Sequence, residues 1–270
     1  MVDLTPFLHH LPAWLMVVFR LTGMFILAPM YGSETIPRQI KVFLVLVLSL
    51  AVYPALLEPG RGAAVNLGAV MGMELTLWSL IPLAALELLV GFVIGYGAML
   101  PLIALQSGGQ IINQQMGLGI AGVFNPEFNE ESGSVAQALF LMGLLIFLLL
   151  NGHLAMVRTL IGTFDHVPVG GLTDFHGLKG LLLGLIQSMM EFIIRVSAPI
   201  LTLLFLESVA MGFITRTVPQ MNILSVGFII RIMMTVGVLM LMVSSIAVAA
   251  GEEIMIALRQ VAKVMADLEL

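Results

Sequence analysis

Gln106 to Gly133 reads QSGGQIINQQMGLGIAGVFNPEFNEESG. The stretch lies between two apolar runs long enough to span a bilayer, yet it is too polar and too rich in glycine to continue a lipid-facing helix, so the composition predicts a loop. Irregular backbone is tolerated at membrane depth only where protein or a water-filled cavity covers it. Around it, no Lys or Arg occurs between Arg61 and Arg158. The segment is read as the working part of a membrane protein.

Composition supports that setting. Of 270 residues, 60% are hydrophobic and 10% charged, with a mean hydropathy of +1.09, against about 25% charged residues in an ordinary soluble domain. The fold class expected is all-α, a multi-helix integral membrane protein. Apolar runs occupy Phe7 to Met30, Val42 to Leu57, Val65 to Leu105, Val135 to Leu150, Leu178 to Leu206 and Met221 to Ala250. A spanning helix needs about 20 apolar residues, so the third run has room for two helices broken near Pro82 or Pro101. Met1 to Leu11 has no basic region of the kind that opens a signal peptide, and the first cation is Arg20.

Several function classes fall away. The chain has no Cys, which removes disulfides, thiolate metal sites and Cys nucleophiles. Its five His (His9, His10, His153, His166, His176) show no metal-ligand spacing, and no metal or cofactor is expected. A net charge of -5 without a basic cluster argues against nucleic acid. No Ser/His/Asp trio or paired carboxylates stand out, and Asp165 and His166 are adjacent in an expected loop, so no enzyme is predicted. Gly117, Gly119 and Gly122 spell GxGxxG, but no strand pattern precedes them as a dinucleotide site requires.

Loops are expected at Tyr31 to Pro37, Glu58 to Gly62, Gln106 to Gly133, Asn151 to Gly177 and Gly212 to Gln220. Counting Lys and Arg in these loops selects neither membrane orientation. GxxxG pairs at Gly68/Gly72, Gly91/Gly95 and Gly180/Gly184 predict close helix packing.

Six charges within or at the edge of apolar runs are singled out: Arg20, Glu87, Glu191, Arg195, Glu207 and Arg231. Each should face protein or water, as ion pairs rather than as a proton relay, because the carboxylates are scattered. Glu191 and Arg195 stand at i, i+4. Pro219 lies halfway between Glu207 and Arg231, so a helical hairpin turning there sets both charges about 18 Å from the turn. For the glycine-rich stretch two readings stay open: a loop that seals a narrow lumen with Ile111, Ile112, Met116, Leu118, Ile120, Val123 and Phe124, or a re-entrant loop that only packs against the bundle.

Three strings carry a resemblance over nearly the whole chain: RLTGMFILAPMYGSETIPRQIKVFLVLVLSLAVYP (Arg20 to Pro54), GGQIINQQMGLGIAGVFNPE (Gly108 to Glu127) and SAPILTLLFLESVAMGFITRTVPQMNILSVGFIIRI (Ser197 to Ile232). They resemble the FliR family of the bacterial flagellar type III secretion export gate. Virulence secretion counterparts share the plan.

The resemblance implies a fold of helical hairpins, with a FliP-like part over residues 1–180 that includes a central plug loop at 106–133. A FliQ-like hairpin follows over 181–250, turning near Pro219, and then a tail over 251–270. It implies assembly with five copies of FliP and four of FliQ, further components such as FlhA and FlhB, and unfolded protein substrates. The place implied is the flagellar basal body at the bacterial inner membrane. Carried over by motif, the plug positions are Gly108, Gly109, Met116, Gly117, Leu118, Gly119 and Phe124. The resemblance also implies that Glu207, Arg216 and Arg231 make subunit contacts, while the spacing alone offers Glu191, Arg195, Glu207 and Arg231 as structural charge pairs. The alternative weighed is a proton-coupled secondary transporter for a small solute, which predicts two similar repeats with broken helices.

Overall fold

In a computed structural model the described residues are 5–32, 36–71, 73, 76–117, 133–171, 175–217 and 223–267. Among them all regular structure is helical: α1 Thr5–Leu27, α2 Arg38–Leu56, α3 Gly62–Gly68, α4 Leu77–Met116, α5 Ser134–Leu149, α6 Gly152–His166, α7 Phe175–Thr217 and α8 Ile223–Asp267. Among the described residues five helices are long and apolar enough to cross a membrane: His9–Leu27, Arg38–Leu56, Trp78–Met116, His176–Thr217 and Gly227–Asp267. The chain is an all-α, multi-helix membrane protein.

Four boundaries differ from those expected. The third apolar run is one helix, α4, which contains Pro82 and Pro101 without a break. A proline removes one ladder hydrogen bond, but neighbouring helices can stabilise such a turn in an apolar setting, and Leu100, Pro101 and Leu102 are buried. The same helix continues to Met116, so Gln106 to Met116 is helical rather than loop. Its glycines meet other helices instead of lipid, and that packing offsets their helix-propensity penalty of about 1 kcal/mol each. Asn151 to Gly177 contains α6, whose buried Met156, Leu160, Thr163 and Phe164 form one stripe. Its polar residues hide it from a search for apolar runs. Likewise, α7 runs past Gly212 to Thr217, and Pro219 lies outside the described residues.

The chain divides into two compact units, one of residues 1–100, 151–186 and 254–270, the other of 101–150 and 187–253. In the first, α1 packs on the N-terminal half of α4. A Cβ at Gly91 would collide with the Arg20 carbonyl oxygen, and one at Gly95 would lie 2.5 Å from the Met24 carbonyl oxygen. Only this GxxxG pair meets a neighbour among the described residues. Gly68, Gly180 and Gly184 have open space beside them, and Gly72 lies outside the described residues. α3 docks on the end of α6: Asp165 Oδ1 accepts from the Ala63 amide at 3.1 Å, and Asn66 Nδ2 donates to the Phe164 carbonyl at 2.9 Å. Asp165, expected in a loop, instead caps a helix from α6's last turn.

The second unit holds the C-terminal part of α4, α5, and the hairpin made by residues 187–217 of α7 and 223–253 of α8. Its core joins Ala104 and Leu105 of α4, Leu139 of α5, Phe192, Ile193 and Val196 of α7, and Ile246 and Ala250 of α8. A second cluster joins Ile112 and Met116 to Ile200 and Leu204. Much apolar surface stays outside these cores. Phe43 is 67% exposed on α2, and Met240 and Leu241 are 71% and 81% exposed on α8. Faces of that kind mark contact with lipid or protein partners.

Candidate functional site

The second unit gathers most of the described sequence-selected residues, and its geometry starts from α4. Beyond Pro101, Leu102, Leu105, Ile112 and Met116 are buried, while Gln110 and Asn113 share the same helix. Gly109 sits where α4 meets α5, since a Cβ there would lie 2.6 Å from Ala136 Cα. Gly143 on α5 repeats the close approach, with Leu105 Cδ1 2.5 Å from its would-be Cβ.

This contact lets α4 cap α5. Helix N-termini leave amides without intrahelical partners, and Gly133, at the N-cap, has no side chain to serve them. Asn113 Oδ1 accepts from the Val135 amide, and Gln110 Oε1 from the Gly133 amide, both at 3.4 Å. The polar residues that interrupt the apolar pattern therefore anchor the return of the chain into α5. At the departing end, Gly117 closes α4 with φ 81, a left-handed conformation in which glycine carries no Cβ penalty.

The hairpin holds the charges. Arg231 Nε and Nη2 donate to Glu207 Oε2 at 3.0 and 2.9 Å, and Nη2 also donates to Ser208 Oγ at 2.8 Å. Ser188 Oγ donates to Glu253 Oε2 at 3.4 Å farther along the same two helices. The pairs 188/253 and 207/231 show the two helices running antiparallel. Arg231 Nη1 reaches a third helix, donating to the Gln115 carbonyl at 3.3 Å. The Glu207 side chain is 3% exposed and that of Arg231 30%. Glu207 Oε1 and Asn113 Nδ2 are buried with no hydrogen-bond partner among the described residues. Buried polar groups are nearly always paired, so these two atoms mark where further partners are due.

The positions named from sequence separate accordingly. Gly108 and Gly109 are helical and packed, Gly108 beside Val196 of α7. Met116 is buried at the end of α4, and Gly117 follows it. Leu118, Gly119 and Phe124 lie outside the described residues. Glu207 and Arg231 are brought together. Glu191 and Arg195 are both exposed, and Glu191 accepts from Gln187 Nε2 at 2.9 Å rather than from Arg195.

One pairing was not read from the sequence, although both of its charges were. In the first unit Arg20 Nε donates to Glu87 Oε2, with side chains 0% and 1% exposed. Arg20 Nη1 donates to Thr163 Oγ1 at 3.0 Å and Nη2 to the Val167 carbonyl at 3.4 Å. Glu87 Oε1 accepts from the Gly170 amide at 3.1 Å, and the guanidinium lies 3.9 Å from the centre of the Phe164 ring. Each nitrogen of the guanidinium and each oxygen of the carboxylate has a hydrogen-bond partner, the condition under which a buried pair is tolerated. The only sequence signal was two opposite charges in separate apolar runs, 67 residues apart.

The model of the family described as bacterial export proteins, family 1, matches residues 11–255. The chain is similar to the flagellar biosynthetic protein FliR of Escherichia coli K12, 28% identical over 84% of this chain and 83% of that one. It is 27% identical to that of Bacillus subtilis 168, over 82% of each chain. Against that of Aquifex aeolicus VF5 it is 27% identical over 85% of this chain and 84% of the other.

Proposed function

This chain belongs to the bacterial export proteins, family 1, and on that premise we propose that it is an inner-membrane component of the flagellar type III protein export apparatus. The observation that carries the reading is the family match across residues 11–255, joined by curated relatives named flagellar biosynthetic protein and aligned over most of both chains. The small-solute transporter reading has no support from either. Partners in this proposal are FliP-like and FliQ-like subunits, five and four copies, which cover the exposed apolar faces of α2, α7 and α8.

Within that assembly the residues after Gly117 act as the plug of the export channel. Two features support this. The chain leaves α4 at a glycine and re-enters α5 through amides capped by α4 itself, so the two roots are held together. Gly109 belongs to the packed base of the device rather than to its tip. Unfolded export substrates pass when the plug yields, and no bond is made or broken by this chain.

Deleting the coding sequence in its native host is expected to abolish swimming and secretion of filament protein while growth continues. Restoration by the intact chain completes the test. A deletion strain that swims normally but loses uptake of a small solute would overturn the proposal.

A further inference from the structure

Arg231 does more than close the hairpin. Its guanidinium is a planar fork, and from α8 it contacts two other helices: Glu207 and Ser208 on α7, and the Gln115 carbonyl on the last turn of α4. Helix C-terminal carbonyls lack intrahelical donors and carry partial negative charge, so a cation there is favoured over any neutral group. One turn earlier on α8, Phe228 lies under the same spot. A Cβ on Gly117 would be 3.8 Å from its ring. Met116, between Gln115 and Gly117, is packed with Ile200 and Leu204 of α7. The exit of α4 is thus held by the hairpin through one charge and the packing of Met116, with the Phe228 ring beside Gly117.

We propose that Arg231, held in place by Glu207, is a positioning residue that latches the end of α4 to the α7–α8 hairpin and so sets where the chain leaves the helix at Gly117. The latch converts a movement of the hairpin into a movement of the segment's root. It rests on the plug reading only for its consequence for sealing; the latch itself is a statement about α4 and α8.

Charge reversal separates this role from a plain hairpin ion pair. With Glu207→Arg and Arg231→Glu together, the opposite charges still face each other across the hairpin, but a carboxylate now stands at the C-terminal carbonyls of α4, where like partial charges repel. The experiment uses the full chain co-purified with its partner subunits and measures amide hydrogen exchange at residues 114–117, with ion leak through the same complexes in liposomes. Arg231→Gln is expected to speed exchange at 114–117 about tenfold while exchange within α6 is unchanged. The double reversal is expected to restore assembly lost in Glu207→Arg but to leave 114–117 exchanging as fast as in Arg231→Gln, with raised leak.

Native protection at 114–117 in the double reversal would overturn the latch. If Arg231→Gln does not assemble, the double reversal decides the matter alone, and its own failure to assemble overturns the proposal, because the retained pair should suffice for the hairpin. Fast exchange at 114–117 without leak, together with a tight complex after removal of 118–132, would leave the latch standing and reject the plug. Leak on removal of 118–132 with native exchange in Arg231→Gln would do the reverse.

Discussion

Replacing Glu87 tests the interior of the first unit. Glu87→Ala leaves the fully buried Arg20 guanidinium without its counter-charge, which costs about 3–5 kcal/mol, and leaves the Gly170 amide without its acceptor, about 1–3 kcal/mol more. Arg20→Met does the converse, stranding the carboxylate and the Val167 carbonyl. Removing both charges in Arg20→Met with Glu87→Leu eliminates the unpaired ion and leaves only the two backbone groups, about 2–6 kcal/mol. Thr163 stays satisfied through its bond to the Leu160 carbonyl at 2.6 Å. The double variant should therefore be more stable than either single one. At about 2–4 °C per kcal/mol for a chain of this size, the ion-pair loss alone lowers the midpoint of either single variant by roughly 6–20 °C. Thermal unfolding in detergent reports it, followed by tryptophan fluorescence and by the fraction still monodisperse on gel filtration. A double variant destabilised by the sum of the two single effects would refute the argument, since it would mean that the charges do not interact.

Glycine substitutions should divide by what their Cβ would meet. Gly91→Ala forces α1 away from α4 at the Arg20 carbonyl and should reduce the yield of folded protein, whereas Gly184→Ala faces open space and should be neutral to stabilising by up to about 1 kcal/mol; equal yields for the two would contradict the packing. Asp165→Ala removes the acceptor for the Ala63 amide and should cost about 1 kcal/mol. The half-exposed Arg61–Asp165 contact at 3.8 Å adds little, so Arg61→Ala should change the thermal midpoint far less than Asp165→Ala.

How much could be read without coordinates depends on whether the information is local. The hairpin charges are a local case: two helices turning at one place put residues equidistant from the turn side by side, so Glu207 and Arg231 can be matched by spacing alone. Arg20 and Glu87 cannot be matched this way, because their meeting depends on α1 lying against α4, and that contact is encoded by Gly91 and Gly95, whose pattern is shared by glycines that touch nothing. The site shows the same division. Glycine, Gln and Asn between Gln106 and Met116 read as a departure from the helix because each is a poor residue for a lipid-facing surface. They are good residues for a surface pressed against α5, where Gly109 makes room and Gln110 and Asn113 serve as caps. α6 went unread because polar residues and glycine interrupt its apolar pattern, and its buried stripe becomes meaningful only beside α3 and Arg20.

The central claim is that the segment between α4 and α5 closes a protein export channel. Its most direct test is the conductance of the assembled complex in a planar bilayer, with residues 118–132 replaced by a short Gly-Ser linker so that both helices and their caps remain. The intact complex should be closed and the shortened one should conduct ions continuously. A shortened complex that assembles with its partners and stays sealed would contradict the account.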